Sequence, residues 1–373
     1  MSTSDLVNIV AREEMQNKTR IKKILENPLT FSLFLLFMML IVNAFVVDNF
    51  FRIEMRNNLV TGFIPIILDE SSRLIIVALG MTLVTAVAGG QDISVGSIMA
   101  ISAAFCGLVL NMGEYRTDVF YNPLWLAYIV GLLGGALCGA FNGFLVAVLK
   151  IQPLIASLIL FTAGRSVARL IAGQTIYIMN PVYRYLGVQI PGIPIRTTII
   201  VSVVVIILVA LIVKKTGLGL NIESIGINSS AARLVGINAT RIKIATFIFC
   251  GILCAIAGMM VSSAVQSVNP DEIGRGIELD AILAVALGGT LLNGGKFSLA
   301  GTIIAAYTVQ TITTSMFAMG VPADQLNVFK AVVVIIIIVT SSEVFKGKIK
   351  RLFAKRAQKK VVASNAMGKG VTQ

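Results

Sequence analysis

Histidine is missing from the chain altogether, and this removes imidazole proton relays, Ser-His-Asp triads and histidine-ligated metals together. Charge is scarce as well: 13% of the 373 residues are Asp, Glu, Lys or Arg, about half the usual share for a soluble domain. There is one tryptophan, and there are four cysteines. Cys106, Cys138, Cys250 and Cys254 lie inside apolar runs, with the last two spaced as on one helix face, which suits packing better than metal or redox chemistry. No secretory signal opens the chain, because its first apolar run starts at Leu29 behind a polar leader.

What the chain has in quantity is hydrophobic residues, at 56% of the total, in runs long enough to cross a bilayer. The expected fold class is an all-α polytopic membrane protein. Ten spans are expected at residues 29–47, 74–88, 93–111, 124–148, 153–173, 197–213, 244–265, 279–292, 298–318 and 327–342. Residues 1–28 then form a cytoplasmic leader, whose 4–25 stretch reads as an amphipathic helix on the membrane surface, residues 29–343 the membrane domain, and 344–373 a basic cytoplasmic tail. With the N-terminus inside, 21 Lys and Arg fall in cytoplasmic segments and seven in external ones, the bias expected of an inner-membrane protein with both termini in the cytoplasm. The net charge of +13 reflects this topology and anionic lipid headgroups rather than a nucleic-acid surface.

Two glycine-rich breaks resemble each other: "GGQDISVGSIMA" (Gly89–Ala100) and "GGKFSLAGTIIA" (Gly294–Ala305). Each follows a span that reads as short, a pattern that marks a transport pathway in membrane proteins built from repeats. Two ordinary tight turns are the plainer reading. The count implies parallel halves, unless one segment is re-entrant. Gly89, Gly90, Asp92, Ser94, Gly96, Gly288, Gly289, Asn293, Gly294 and Gly295 are the candidate pathway or gating residues. Asp92 has two readings, a cap on the third span or a direct gating group. Arg165 and Arg169 lie one turn apart in the fifth span, and Glu278 and Asp280 are their candidate partners. "GGTLLNGGKFS" (Gly288–Ser298) is no phosphate loop: Thr290 stands where its first glycine is needed, and Phe297 follows Lys296.

The longest cytoplasmic interruption, residues 214–243, contains "SSAARLVG" (Ser229–Gly236). Serine caps, two alanines and a terminal glycine predict a two-turn helix, too short to persist unless it packs on something. Its small side chains suit a groove on another protein.

These residues, Ala231-Ala232-x3-Gly236, resemble the coupling loop of permease subunits of bacterial ABC importers. "GGQDISVGS" (Gly89–Ser97), "NGFLVAVLKIQPLIASL" (Asn142–Leu158), "SVNPDEIGRGIELDAILAVALGGTLLNGG" (Ser267–Gly295) and "FKAVVVII" (Phe329–Ile336) resemble the ribose/galactose/xylose-type branch in order, over about residues 70–342. The resemblance implies a type II importer-like bundle working as a homo- or heterodimer. It implies ATPase subunits docked on Ser230, Ala231, Ala232, Arg233 and Gly236, and an external solute-binding protein. ATP and magnesium then belong to the ATPase, and this chain holds no cofactor and no catalytic residue. A neutral hydroxylated cargo fits spans with few ionisable groups; nucleosides, autoinducer-like sugars or branched-chain amino acids are other cargoes of the same class. An ion-coupled transporter would need buried carboxylates, and only Asp92 and Asp280 lie near spans. Gln91 and Arg169 depart from the family pattern, and the tail beyond Lys346 is longer than the pattern suggests.

Overall fold

The computed structural model describes residues 28–332, except 57, 323, 324, 327 and 329. The leader, the basic tail and most of the tenth expected span lie outside the described residues. The chain divides into two units, one ending at Met319 and one beginning at Gly320, and the first holds the helical bundle.

Among the described residues, helices occupy nine of the ten expected positions. In chain order they are α1 (Pro28–Val46), α2 (Phe63–Ala88), α3 (Val95–Asn111), α4 (Leu124–Ala147), α5 (Pro153–Ala172) and α6 (Thr197–Lys215). Two short helices, α7 (Leu218–Ile227) and α8 (Ser229–Leu234), precede α9 (Ala239–Val265), α10 (Ile277–Leu287) and α11 (Leu299–Ala318). Of the described helices, α2, α4, α5, α6 and α9 are long and apolar enough to cross a membrane.

The second span is a correction. It is not a short segment from Leu74 but a 26-residue helix from Phe63, so Asp69-Glu70-Ser71-Ser72-Arg73 is helical rather than a loop. The polar run stays helical because its charges are paired and Ser72 is bonded there, although the Ser71 hydroxyl and the Arg73 Nε–H have no partner among the described residues. Asp69 is 3% exposed, with its Oδ2 3.3 Å from Arg73 and 3.2 Å from Arg196. Its Oδ1 accepts from the Thr198 hydroxyl of α6, and Ser72 donates to the Leu68 carbonyl at 2.7 Å. Buried carboxylates near spans are therefore more numerous than the sequence suggests, but Asp69 is held by two arginines. Arg73 also leaves the external loops, which sharpens the basic bias toward the other side.

The eighth span is short, as expected: α10 has 11 residues, about 17 Å of helix against a hydrocarbon core of about 30 Å. Ser32 of α1 donates to the carbonyl of Leu287 at 2.6 Å, satisfying one of the bare acceptors at the C-terminal end of α10.

Backbone contact locks α4 to α9. A Cβ on Gly135 would stand 2.4 Å from the carbonyl oxygen of Gly251, and one on Gly251 2.1 Å from that of Gly135. Small residues at this crossing let the helices approach closely, the usual means of helix association in lipid. Elsewhere α4 turns Trp125, Leu133, Leu137 and Phe141 outward, and α6 does so with Val203, Val204, Ile207 and Leu208, apolar faces suited to acyl chains.

At one end of the bundle the loops expected to be external meet. β3 (Arg116–Thr117) pairs parallel with β4 (Ile176–Ile178), which pairs antiparallel with β5 (Ser267–Val268). A hairpin of β1 (Glu54–Arg56) and β2 (Leu59–Thr61) joins this layer through Val60 N–H to the Pro194 carbonyl, 3.0 Å. A 3-10 turn at Tyr183–Tyr185 seats on α9, with the Tyr183 and Ser262 hydroxyls 2.7 Å apart.

Gly251→Leu is expected to force α4 and α9 apart. It should lower the melting temperature in detergent by several degrees or eliminate the monodisperse peak on size exclusion, whereas Leu137→Ala on the outward face of α4 should shift it little.

Candidate functional site

The two glycine-rich breaks meet each other. A Cβ on Gly89 would lie 2.8 Å from the Asn293 carbonyl oxygen, and the Gly295 N–H donates to the Ala86 carbonyl at 2.8 Å. Gly90 abuts Pro153 at the start of α5. Into this junction comes a residue that no sequence motif marks, Gly226 near the end of α7. A Cβ there would stand 2.0 Å from the Ala86 oxygen and 2.3 Å from Gly295 nitrogen. One position thus gathers the end of α2, the loop before α11 and the helix leading into Ser229–Leu234. Gly289, Gly294 and Gly295 all have positive φ in the 288–298 loop, while Gly288 touches the backbone of Gly301 in the first turn of α11.

Asp92 is 1% exposed. Its Oδ1 accepts from the Ser94 N–H at 2.9 Å and the Ser94 hydroxyl at 2.5 Å, and Asn142 of α4 donates to the Ser94 oxygen at 2.7 Å. Ser94 itself occupies the N-cap of α3, and Asp92 fixes the turn before it. Asn142 joins this site without having been a candidate; the signal for it is an amide in an otherwise apolar span.

Four residues higher in the bundle, the first turns of α3 and α10 collide. A Cβ on Gly96 would lie 2.3 Å from the Gly274 carbonyl and 2.6 Å from Oε2 of Glu278. Glu278 is 7% exposed, and among the described residues its Oε2 has no hydrogen-bond donor. It sits where two positive helix ends converge, an environment that offsets a carboxylate's charge.

The charge pairing expected for α5 holds only in part: Arg165 acts on the charge of Glu278 without a hydrogen bond to it. Arg165 donates to the carbonyls of Pro270, Asp271 and Ile273 at 3.2–3.3 Å, and Arg169 forms its ion pair with Asp271. Their hydrogen bonds go to this turn rather than to the carboxylates of Glu278 or Asp280. Asp280 instead lines a cavity with Glu70, Arg73, Glu272, Arg275 and Gln310. The unwound carbonyls before α10 need donors, and two arginines one turn apart reach them.

The segment expected to meet an ATPase is helical over Ser229–Leu234, but its cap is Asn228 rather than a serine. Asn228 Oδ1 accepts from the N–H groups of Ser230 and Ala231 at 3.1 and 3.0 Å. Its faces also differ from the small-residue surface expected. Ala232 turns inward at 4% exposure, while Leu234 and Val235 stand out at 89% and 76%. Ser230, Ala231, Arg233 and Gly236 are exposed, Ser229 is half-buried beside them, and Gly236 leaves the helix at φ +86°.

Residues 63–341 match the family described as the permease component of branched-chain amino acid transport systems. The chain belongs to that permease family. It is 37% identical to the galactofuranose transporter permease of Escherichia coli (strain K12) over 84% of this chain and 90% of that one. It is 35% identical to the fructose import permease of Bifidobacterium longum (92% and 97%), and 32% identical to the E. coli K12 ribose import permease (84% and 93%). No solved structure matches the chain. The chain is a multi-pass membrane permease.

Asp92→Asn keeps an oxygen for Ser94 and should leave stability and transport near wild type. Asp92→Ala strips the turn of its acceptor and should cost about 1–3 kcal/mol, read as a lower melting temperature. Loss of transport in Asp92→Asn at unchanged melting temperature would instead assign the carboxylate a direct role in gating.

Proposed function

We propose that the chain is the membrane-spanning subunit of an ATP-driven importer that moves a monosaccharide or similar neutral polyol, received from an external binding protein. It has ten spans, with both termini in the cytoplasm, in a bacterial inner membrane. It works as a dimer with a second permease subunit and binds no cofactor, because nucleotide and magnesium are held by ATPase subunits on the cytoplasmic face. The observation that carries the cargo is the 35–37% identity, over most of both chains, to permeases named for galactofuranose and fructose. The family description, which names branched-chain amino acids, supports the second reading of the cargo.

In this reading the ATPase grips Ser230–Gly236, with Leu234 and Val235 as the apolar anchors. Movement of α8 passes through Asn228 into α7, and α7 is seated by Gly226 on Ala86 and Gly295. Displacement there reaches both glycine-rich breaks at once, and through them the α2–α3 turn held by Asp92 and the half-length α10. The 210–300 region then acts as a lever between motor and pathway, a hinge-type transition with a defined fulcrum.

Proteoliposomes holding the permease, its ATPase and its binding protein should take up sugar only with ATP, with no loss of rate when an uncoupler is added. An uncoupler-sensitive, ATP-independent flux would refute the ATP-driven reading. In the same assay Leu234→Ser with Val235→Ser should lower uptake and stimulated ATPase at least tenfold without a change in melting temperature, since both side chains are exposed. Ala232→Asp is a poorer probe because it puts a charge into a buried position and should lower the melting temperature too.

A further inference from the structure

On the side of the bundle that carries the three-stranded sheet, a cavity of about 220 Å³ lies between α2, α3, α9, α10 and α11. At ~30 Å³ per water it has room for about seven waters, or for one sugar ring. Its walls belong to one copy of the chain.

The lining has two characters. Leu74, Met99, Val261 and Ile277 give an apolar patch. Around it stand Glu70, Arg73, Asp280 and Gln310, with Glu272 and Arg275 largely exposed at the rim. The charges come paired: Arg73 Nη1 lies 3.0 Å from both oxygens of Glu70, and Arg275 lies 3.4 Å from Glu272. The lining presents carboxylate acceptors and guanidinium or amide donors in one small space. The Arg73 Nε–H is buried and has no hydrogen-bond acceptor among the described residues. Donors and acceptors around an apolar floor are what a sugar ring requires, with hydroxyls at its edge and C–H groups on its face. An anion would face more carboxylates than guanidiniums.

We infer that this cavity is a binding subsite for a single neutral polyol ring, carried separately by each permease subunit. The inference rests on the sugar reading of the cargo. Glu70 and Asp280 accept from ring hydroxyls, Gln310 and Arg73 donate to them, and Val261 with Ile277 packs under the ring. The 270–276 turn, clasped by Arg165 and Arg169, closes one wall.

The probes are radiolabelled D-galactose, D-ribose and D-fructose, with the full transporter in proteoliposomes. Wild-type uptake of at least one of them comes first; uptake of none overturns both the sugar reading and the subsite. With a transported sugar identified, Val261→Phe, which fills the cavity, and Gln310→Leu should each lower uptake at saturating binding protein at least tenfold. Misfolding of either variant would also lower uptake, so Arg275→Cys, at the exposed rim and outside the assigned contacts, supplies a separate readout. Its modification by a membrane-impermeant methanethiosulfonate should slow at least fivefold in the presence of the transported sugar, and not in the presence of leucine or sulfate. Wild-type uptake by both variants, or labelling indifferent to the sugar, overturns the subsite while leaving the sugar reading intact. Protection by leucine or sulfate instead of sugar overturns the assigned ligand class.

Discussion

A bilayer offers no water to a bare peptide group, and this constraint organises the molecule. Within the described bundle, the stretches 89–94, 269–276 and 288–298 leave helical geometry. Each is tolerated because another part of the chain supplies partners. The Ala86 carbonyl takes the Gly295 N–H, Asp92 takes the Ser94 N–H, and Arg165 donates to three carbonyls before α10. Glycines are placed where two such stretches must touch. The breaks are mutual supports, which explains why they cluster instead of being scattered through the fold.

The same constraint governs the charges. Asp69 between Arg73 and Arg196 is an ion cluster whose breakage, by removal of one partner, would leave an uncompensated charge at a cost of about 3–5 kcal/mol. With its carboxylate held by both arginines, the cluster is suited to joining α2 and α6. Glu278, by contrast, has an oxygen without a hydrogen-bond partner among the described residues, at the meeting of two helix ends. The two carboxylates lie in the same bundle with different surroundings, one in contact with two arginines and the other at helix ends with Arg165 acting on it from beyond hydrogen-bond reach.

Most spans are legible from hydropathy, because a lipid-facing helix such as α6 has almost nothing polar to confuse the reading. α2 is harder for the converse reason. Its first turns carry five consecutive polar residues, which look like a loop until Thr198 and Arg196 are known to stand beside them. The i,i+3 and i,i+4 spacing of Asp69, Glu70 and Arg73 is the available clue. The kinship of the two glycine breaks is visible in the sequence, but their contact is not, since packing across some 200 residues leaves no local trace. The short helix is legible, whereas its cap reads as serine because Asn228 precedes the run by one place. Which of its side chains point outward is not legible at all: six residues establish no periodicity, and Ala232 and Leu234 separate only in three dimensions.

The interlock of Gly135 with Gly251 limits how the molecule can move. Two rods whose main chains touch at Gly135, Gly139 and Gly143 leave little side-chain layer between them that could yield to sliding. α4 and α9 must therefore travel as one girder, and any change of shape during a transport cycle has to bend at its margins, where the backbone is already unwound.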